Sequence, residues 1–275
     1  DELRGHVASL HGMIEHGNAF GVTEEQLRKA DQNVTTWVYT AEKNLGPFSN
    51  FGLYDKSSAR FVKIPNGLKP PHVVPIPRAD MGIPEDAFAL CCVSRAIPDK
   101  GWEETIQVVR RARELSGRDI RLILVGNGPV YDEYCRVGVP DFVYLAGFSE
   151  NSVGHYASAD MGIMLTKFKS ESFPLTIVDC LFAGKPYIAS AVGDIRNMLT
   201  TSDGIAGEVI ELEDWEIPIE SAAEVVAAFA TDKQKYLKAL ALVQDVANRY
   251  KIDVVAAQYV RLFQSDVFKN RLGGI

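Results

Sequence analysis

Apolar runs and amphipathic stretches alternate along most of this chain. Residues 88–93, 120–125 and 161–165 are almost unbroken apolar runs, which is typical of strands buried on both faces of a parallel sheet. Between and after these runs, apolar residues recur at helical spacing, as in residues 102–116 and 175–182. Strands that alternate with helices predict an α/β fold built on a doubly wound parallel sheet.

Residues 1–65 are predicted to be a separate segment. They contain three short β-rich runs, at residues 7–10, 34–40 and 60–64, and one helical run at residues 23–31. So few residues bury too little apolar surface to fold alone. We therefore interpret this segment as part of a second α/β domain that precedes the sheet domain.

A proline-rich stretch follows, at residues 66–87. Its five prolines restrict the backbone and cannot join a central strand, so we predict a linker between two domains. Residues 88–250 are then predicted to form the domain with the parallel sheet. Residues 251–275 are predicted to be a C-terminal helix that crosses back towards the first domain.

The loop and helix after the run at residues 161–165 carry the first candidate chemistry. Ser172 is predicted to be the N-cap, Pro174 suits the first turn, and a helix N-terminus binds phosphate through its free N–H groups. Glu171 and Asp179 lie on either side of that terminus. Because an acid repels phosphate, these two are better suited to sugar hydroxyls, which indicates a sugar joined to a nucleotide diphosphate. An ordinary strand–helix unit with solvated acids is the alternative.

Two cations follow the first apolar run, and two glycines follow the second. Arg95 can donate two parallel hydrogen bonds to a diphosphate, and Lys100 can contribute a compact positive charge. The alternative is that both are ordinary solvated cations of a loop. Gly126 and Gly128 allow a close backbone approach to a nucleotide, with a simple turn as the alternative. The full dinucleotide fingerprint G-x-G-x-x-G fails at Tyr131.

Several motifs together resemble one enzyme family. Residues 171–186 resemble the E-x7-E signature of retaining GT-B glycosyltransferases of family 4, the glycosyl transferases of group 1. Arg95 and Lys100 match the R-x4-K-G motif of that family, and residues 125–129 match its V-G-x-G-P turn. Residues 64–67 match the I-P-N-G sequence that ends the acceptor-side domain. The resemblance implies a Rossmann-like donor-binding domain after a remnant of the acceptor-side domain.

The resemblance also implies roles for individual residues. Arg95 and Lys100 would grip the pyrophosphate, and Glu171 would hold hydroxyls of the donor sugar. Asp179, where the family has the longer Glu, would hold the ribose. His11 would lie near the donor sugar, unless it is an ordinary residue at a strand end. The other implied donor-binding positions are Gly126, Gly128, Phe148, Ser172, Phe173, Pro174 and Leu175.

The resemblance implies transfer of a hexose from a nucleotide-diphosphate donor, of UDP or GDP type, to a hydroxyl of a sugar or lipid-linked acceptor. The configuration of the sugar would be retained, and the product would be a surface polysaccharide or glycolipid. We expect no metal, because the chain lacks a D-x-D motif, and no cofactor besides the nucleotide sugar. A nucleotide-sugar epimerase on the same scaffold, and a non-catalytic donor-binding half that needs a partner chain, are the alternatives. Most of the acceptor-side domain is expected to lie outside this chain.

Composition and charge further limit the class of protein and its binding partners. The chain is 47% hydrophobic and 24% charged, as in ordinary globular proteins, and its net charge of −7 speaks against a nucleic-acid partner. None of the four cysteines lies in a C-x-x-C motif, so we predict buried free thiols in a reducing compartment. We find no signal peptide and no apolar run that could span a bilayer. We therefore expect a cytoplasmic protein, with peripheral membrane contact left open.

Overall fold

The structure is a computed structural model that describes residues 6–10, as backbone only, and residues 23–265. It divides the chain into two compact units. The first contains the described residues up to 69, residues 169–173 and the described residues from 249 onwards. The second contains residues 70–168 and 174–248. The predicted linker at residues 66–87 contributes to both units.

The elements alternate along the chain as the apolar pattern predicts. The strands are β1 (His6–Leu10), β2 (Val34–Tyr39), β3 (Phe61–Lys63), β4 (Phe88–Val93), β5 (Ile120–Val125), β6 (Val143–Gly147), β7 (Met161–Met164), β8 (Tyr187–Ser190), β9 (Thr200–Thr201), β10 (Gly204–Ile205) and β11 (Gly207–Ile210). The helices are α1 (Glu24–Asn33), α2 (Gly46–Asn50), α3 (Trp102–Ser116), α4 (Pro129–Val137), α5 (Ser152–Ser158), α6 (Leu175–Phe182), α7 (Ile195–Leu199), α8 (Ile219–Thr231), α9 (Lys233–Asn248) and α10 (Ile252–Gln264). Among these helices, none has both the length and the apolar character that a bilayer crossing requires.

The first unit is built around a parallel three-stranded sheet in the order β1-β2-β3. Side chains of β2 alternate between its two faces. Trp37 and Tyr39 join a core with residues of α1 and α2, while Val38 joins another with Val255 and Leu262 of α10. The small sheet is therefore covered by helices on both faces. His11 lies outside the described residues.

The second unit contains a six-stranded sheet in the order β11-β8-β7-β4-β5-β6, and its neighbouring strands pair in parallel. This confirms the predicted doubly wound parallel sheet. From β4 the chain proceeds to β5 and β6 on one side, then returns to add β7, β8 and β11 on the other. The order reverses between β4 and β7, and at such a switch point the carboxyl ends of the strands leave a crevice that binds ligands.

The bounds of β4, α3 and β5 agree with the predicted ones, because each is a well-marked apolar or amphipathic segment buried in one core. Trp102 at the start of α3 is 1% exposed and packs into that core with Leu90 and Leu122. Helix α4 was not predicted. None of its residues is fully buried, although Val130, Tyr131 and Tyr134 pack against the core from one side of the helix.

The cysteines follow the prediction with one exception. Cys91, Cys92 and Cys180 are buried free thiols. Burial raises the pKa of Cys92 to about 12, although a hydrogen bond to Ser94 and the charge of Lys100 both favour the thiolate. Cys135 is exposed on α4, so the prediction of burial is wrong there, because that helix presents much of its surface to solvent.

Candidate functional site

Two loops of the second unit meet at the switch point, one after β4 and one after β7. The carbonyl of Asp99 accepts hydrogen bonds from the Lys167 N–H at 2.9 Å and the Thr166 hydroxyl at 3.1 Å. Gly101 has a φ of +68°, and a Cβ there would lie 1.7 Å from the Leu165 carbonyl oxygen. Only glycine fits this contact, since it adopts positive φ freely and has no side chain. The two loops are therefore locked together by backbone contacts.

The loops bring the two predicted cations to one aromatic ring. The Arg95 guanidinium carbon lies 5.3 Å from the centroid of the Phe168 ring, and the Lys100 ammonium lies 5.0 Å from it. Arg95 is exposed, whereas Lys100 is 8% exposed. Cations at these distances are attracted to the negative face of the ring. Both cations therefore lie beside one ring at the carboxyl ends of β4 and β7.

The two predicted glycines after β5 face the loop after β4. A Cβ on Gly126 would lie 1.9 Å from the Ser94 carbonyl oxygen, and one on Gly128 would lie 2.7 Å from that of Ala96. These two carbonyls belong to the residues on either side of Arg95. The missing side chains therefore let one loop press against the other and help to determine where Arg95 lies. The predicted approach of the glycines to a nucleotide stays a prediction.

Helix α6 starts later than predicted. It begins at Leu175, with Pro174 in the N-cap position and no side-chain hydrogen bond at the cap. The prediction of Ser172 as the N-cap is therefore wrong, and Pro174 lies just before the first turn. The Ser172 hydroxyl accepts a hydrogen bond from the Asn44 amide at 3.3 Å instead. Gly184, with a φ of +76°, follows the end of α6 and confirms the predicted stop.

Two features of α6 suit a polar ligand. In the part of the chain that the structure describes, the backbone N–H groups of Leu175 and Thr176 have no carbonyl acceptor and lie at the positive end of the helix dipole, whereas the N–H of Ile177 donates to the Pro174 carbonyl at 3.1 Å. Asp179, one turn into the helix, is half-buried, and burial raises the pKa of its carboxyl group. Within the described residues, its carboxylate has no hydrogen-bond donor. Because a half-buried acid without a donor is costly, it has the capacity to accept hydrogen bonds from a ligand.

The other predicted site residues lie in different settings. Glu171 and Phe173 are buried in the short segment assigned to the first unit, where the Phe173 ring packs edge-on against Tyr250 with centroids 5.5 Å apart. Phe148 is 70% exposed in the second unit. The structure thus brings Arg95 and Lys100 together, with Gly126 and Gly128 packed beside Arg95. It places Glu171, Ser172 and Phe173 among the residues of the first unit.

Sequence reasoning missed Phe168, although its ring joins the two cations. A lone aromatic residue in a loop has no periodicity and belongs to none of the quoted motifs, so the sequence carries little signal for it. It also missed Asp99, whose backbone carbonyl joins the two loops. A backbone contact of this kind leaves no trace in the residue type.

These features define an α/β protein with a doubly wound parallel sheet and two cations at its switch point. Residues 87–230, just over half of the chain, match a family model described as "Glycosyl transferases group 1". The chain therefore belongs to the glycosyl transferases group 1 family.

Solved structures share this fold, which is that of GT-B glycosyltransferases. The chain is similar to Anabaena HepE, crystallised with UDP, with a TM-score of 0.73 and 18% identity over 94% of this chain and 71% of that one. It is also similar to a chain of the GtfA/B complex, with a TM-score of 0.71 and 18% identity over 96% of this chain and 53% of that one. For TarM of S. aureus the TM-score is 0.66, with 14% identity over 94% and 50% of the two chains.

Two curated bacterial enzymes are similar in sequence. The chain is 22% identical over 204 residues to the N-acetyl-alpha-D-glucosaminyl L-malate synthase of Bacillus anthracis, which covers 72% of this chain and 50% of that enzyme. It is 30% identical over 138 residues to the lipopolysaccharide core biosynthesis glycosyltransferase LpsD of Rhizobium meliloti (strain 1021), which covers 48% and 38% of the two chains. The chain thus spans half or less of the length of these relatives.

Proposed function

We propose that this chain binds the nucleotide-sugar donor of a retaining GT-B glycosyltransferase of family 4. The enzyme transfers a hexose from a nucleotide diphosphate to a hydroxyl of a sugar or lipid-linked acceptor. The observation that carries the proposal is the pair of cations, Arg95 and Lys100, at the switch point of a parallel sheet. Membership of the glycosyl transferases group 1 family supports the same reaction class.

In this proposal the cations act on the leaving group. As the bond between the sugar and the diphosphate breaks, negative charge grows on the diphosphate oxygens. Arg95 donates two parallel hydrogen bonds to them, and Lys100 adds a compact charge from a buried position. Fixed donors that meet charge as it develops lower the barrier of such a step. The first N–H groups of α6 contribute further donors to the same diphosphate.

The acids select the sugar and the ribose. Asp179 accepts hydrogen bonds from the ribose hydroxyls, which gives its half-buried carboxylate the partners that it lacks. Glu171 accepts hydrogen bonds from the donor sugar and thereby orients it. Gly126, Gly128 and Phe148 contribute backbone contacts to the nucleotide. Neither acid serves as a covalent nucleophile in this proposal, and the reaction uses no metal.

The donor is proposed to be a UDP sugar, with GDP as the other candidate. HepE of Anabaena was crystallised with UDP and with UDP-glucose, and the pneumococcal transferase GtfA with UDP and GlcNAc. The relative from Rhizobium meliloti acts in lipopolysaccharide core biosynthesis. We therefore propose a role in surface polysaccharide or glycolipid synthesis, on the cytoplasmic side of a membrane and with peripheral contact to it.

A second proposal is that the chain binds the donor but needs a partner chain for transfer. The similarity to a chain of the GtfA/B complex favours this version. The two versions differ in a turnover assay. Sugar transfer by the purified chain alone would exclude the need for a partner, whereas tight nucleotide binding without turnover would support it. Release of an epimerised free sugar would indicate an epimerase instead.

The proposed donor site is tested by a thermal-shift screen of UDP, GDP, ADP and TDP, followed by calorimetric titration. We expect Arg95→Ala and Lys100→Ala each to weaken the preferred diphosphate about 10- to 100-fold, since a hydrogen bond to a charged group contributes about 1.5–3 kcal/mol. Arg118→Ala is the matched control. Arg118 is an exposed cation just before β5, at the opposite edge of the sheet, so its loss changes the net charge equally but should leave binding unchanged.

Two outcomes would contradict the proposal. One is that both variants bind all four diphosphates as tightly as the wild type, and the other is that the wild type binds none of them. Glu171→Ala tests the sugar contact separately. This change should leave the affinity for the free diphosphate nearly intact and reduce the preference for the complete nucleotide sugar.

A further inference from the structure

The ring of Phe168 is shared by two cations that come from another loop. Arg95 and Lys100 belong to the loop after β4, and Phe168 belongs to the loop after β7. Both positive groups lie within about 6 Å of the ring centroid, the range in which a cation and an aromatic ring attract each other. The ring is half-buried, so water screens this attraction less than it would on an open surface.

An uncharged aromatic ring is suited to this position because the two side chains beside it, Arg95 and Lys100, are both cations. The two positive groups lie 5.3 Å and 5.0 Å from the ring centroid, and like charges at one ring repel each other. The negative face of the ring attracts both of them without neutralising either. The ring itself therefore adds no negative charge that would compete with an incoming anion, as a carboxylate in its place would.

Hydrogen bonds through the Thr166 hydroxyl hold the backbone of Phe168 next to the residue before Lys100. The Phe168 N–H donates to the Thr166 hydroxyl oxygen at 3.1 Å, and that hydroxyl donates to the Asp99 carbonyl at 3.1 Å. Asp99 directly precedes Lys100 in the chain. The same carbonyl accepts the Lys167 N–H at 2.9 Å. A short path of hydrogen bonds thus determines where Phe168 lies relative to Lys100, independently of the contact between their side chains.

We propose that Phe168 is a positioning residue that holds Arg95 and Lys100 in place for the diphosphate of the donor. This inference rests on the proposed function, in which these two cations bind the diphosphate. Phe168 acts through the cations and needs no contact of its own with the reacting atoms. Its removal should therefore weaken the binding of the diphosphate group and spare the binding of the rest of the nucleotide.

The test compares a diphosphate with its nucleoside in the whole chain. The probes are the tightest binder among UDP, GDP, ADP and TDP, and the corresponding nucleoside without phosphate. We expect Phe168→Leu to weaken the diphosphate about tenfold. The nucleoside should bind as it does to the wild type. Phe168→Tyr keeps an aromatic ring and should restore binding to within about twofold.

A second series covers the case in which Phe168→Leu folds poorly. Mono-, di- and trifluorinated phenylalanines at position 168 nearly keep the size of the ring but progressively remove negative charge from its face. We expect diphosphate affinity to fall stepwise along this series, while the melting temperature and the affinity for the nucleoside stay constant. A ring that serves only as packing would give the same diphosphate affinity throughout, and that result would overturn the inference.

The outcomes also separate this inference from the proposed function. If Arg95→Ala loses diphosphate binding but the Phe168→Leu and fluorinated proteins do not, the role of Phe168 is wrong and the donor site stands. If Phe168→Leu weakens diphosphate and nucleoside equally, the ring supports the whole site rather than the cations, which also overturns the inference. If Arg95→Ala and Lys100→Ala bind like the wild type, the proposed donor site itself is wrong.

Discussion

Replacement of Gly101 by alanine tests how tightly the two loops of the site are joined. Gly101 is the residue after Lys100 and precedes the first residue of α3. Its φ is +68°, and an added Cβ would lie 1.7 Å from the Leu165 carbonyl oxygen. Since Cβ atoms essentially never approach another heavy atom within 3.0 Å, one of the two backbones must move by more than an ångström.

The magnitude follows from two contributions. An L-residue in the left-handed conformation costs about 1–2 kcal/mol. Forcing an extra carbon into a packed site costs a further 1–3 kcal/mol, roughly. Gly117 separates these contributions, because its φ is +65° but a Cβ there would meet nothing within 4 Å. Gly117→Ala should therefore show only the conformational cost, and Gly101→Ala should show both.

Thermal unfolding measures the difference between these two variants. An extra cost of about 2 kcal/mol corresponds to a melting temperature lower by about 4–8 °C for Gly101→Ala than for Gly117→Ala. Calorimetric titration should also show weaker binding of the preferred diphosphate to Gly101→Ala, since the movement displaces Lys100. Equal melting temperatures for the two variants would refute the argument that the Leu165 carbonyl holds this loop in place.

Three further results are expected. Asp179→Asn should melt at a higher temperature than the wild type at about pH 7, because burial raises the pKa of this carboxyl and so disfavours its charged form. This difference in melting temperature should disappear as the pH falls below 3.8, the ordinary pKa of the group. The same change should lower the affinity for the preferred nucleoside diphosphate about tenfold, because it weakens the proposed contact with the ribose. A thiol reagent should modify one of the four cysteines quickly in the native protein, and Cys135→Ser should abolish that fast phase, whereas several fast thiols would contradict the burial of the others. Thr23→Ala should destabilise the first unit by about 1 kcal/mol in denaturant unfolding, since Thr23 forms a capping box with Gln26. Ser172→Ala should change stability far less, and an equal loss would mean that Ser172 caps a helix after all.

Much of the second unit could be predicted from the sequence. The apolar runs at residues 88–93 and 120–125 became β4 and β5 with the expected bounds, and the amphipathic run at residues 102–116 became α3. Each of these segments is buried along one face or on both, so its pattern is dictated by the core. Helix α4 was not predicted although Val130, Tyr131 and Tyr134 recur at helical spacing, and Cys135, which is exposed on this helix, was wrongly predicted to be buried.

The start of α6 shows where local signals mislead. Ser172 is a favourable N-cap residue, and the sequence offered no reason to prefer the later start at Leu175. The hydroxyl of Ser172 accepts a hydrogen bond from the Asn44 side chain, a partner that lies far away in the chain. A tertiary contact therefore overrode a local preference, which sequence patterns alone do not reveal.

The sequence by itself determined the alternation of strands and helices and the kinds of charged residue that follow the strands. These features are local, because periodicity and spacing extend over only a few residues. Tertiary structure alone decided that Phe168 meets Arg95 and Lys100, and that Gly126 faces the Ser94 carbonyl. Those contacts depend on the parallel pairing of β4 with β7 and with β5, which joins segments far apart in the chain.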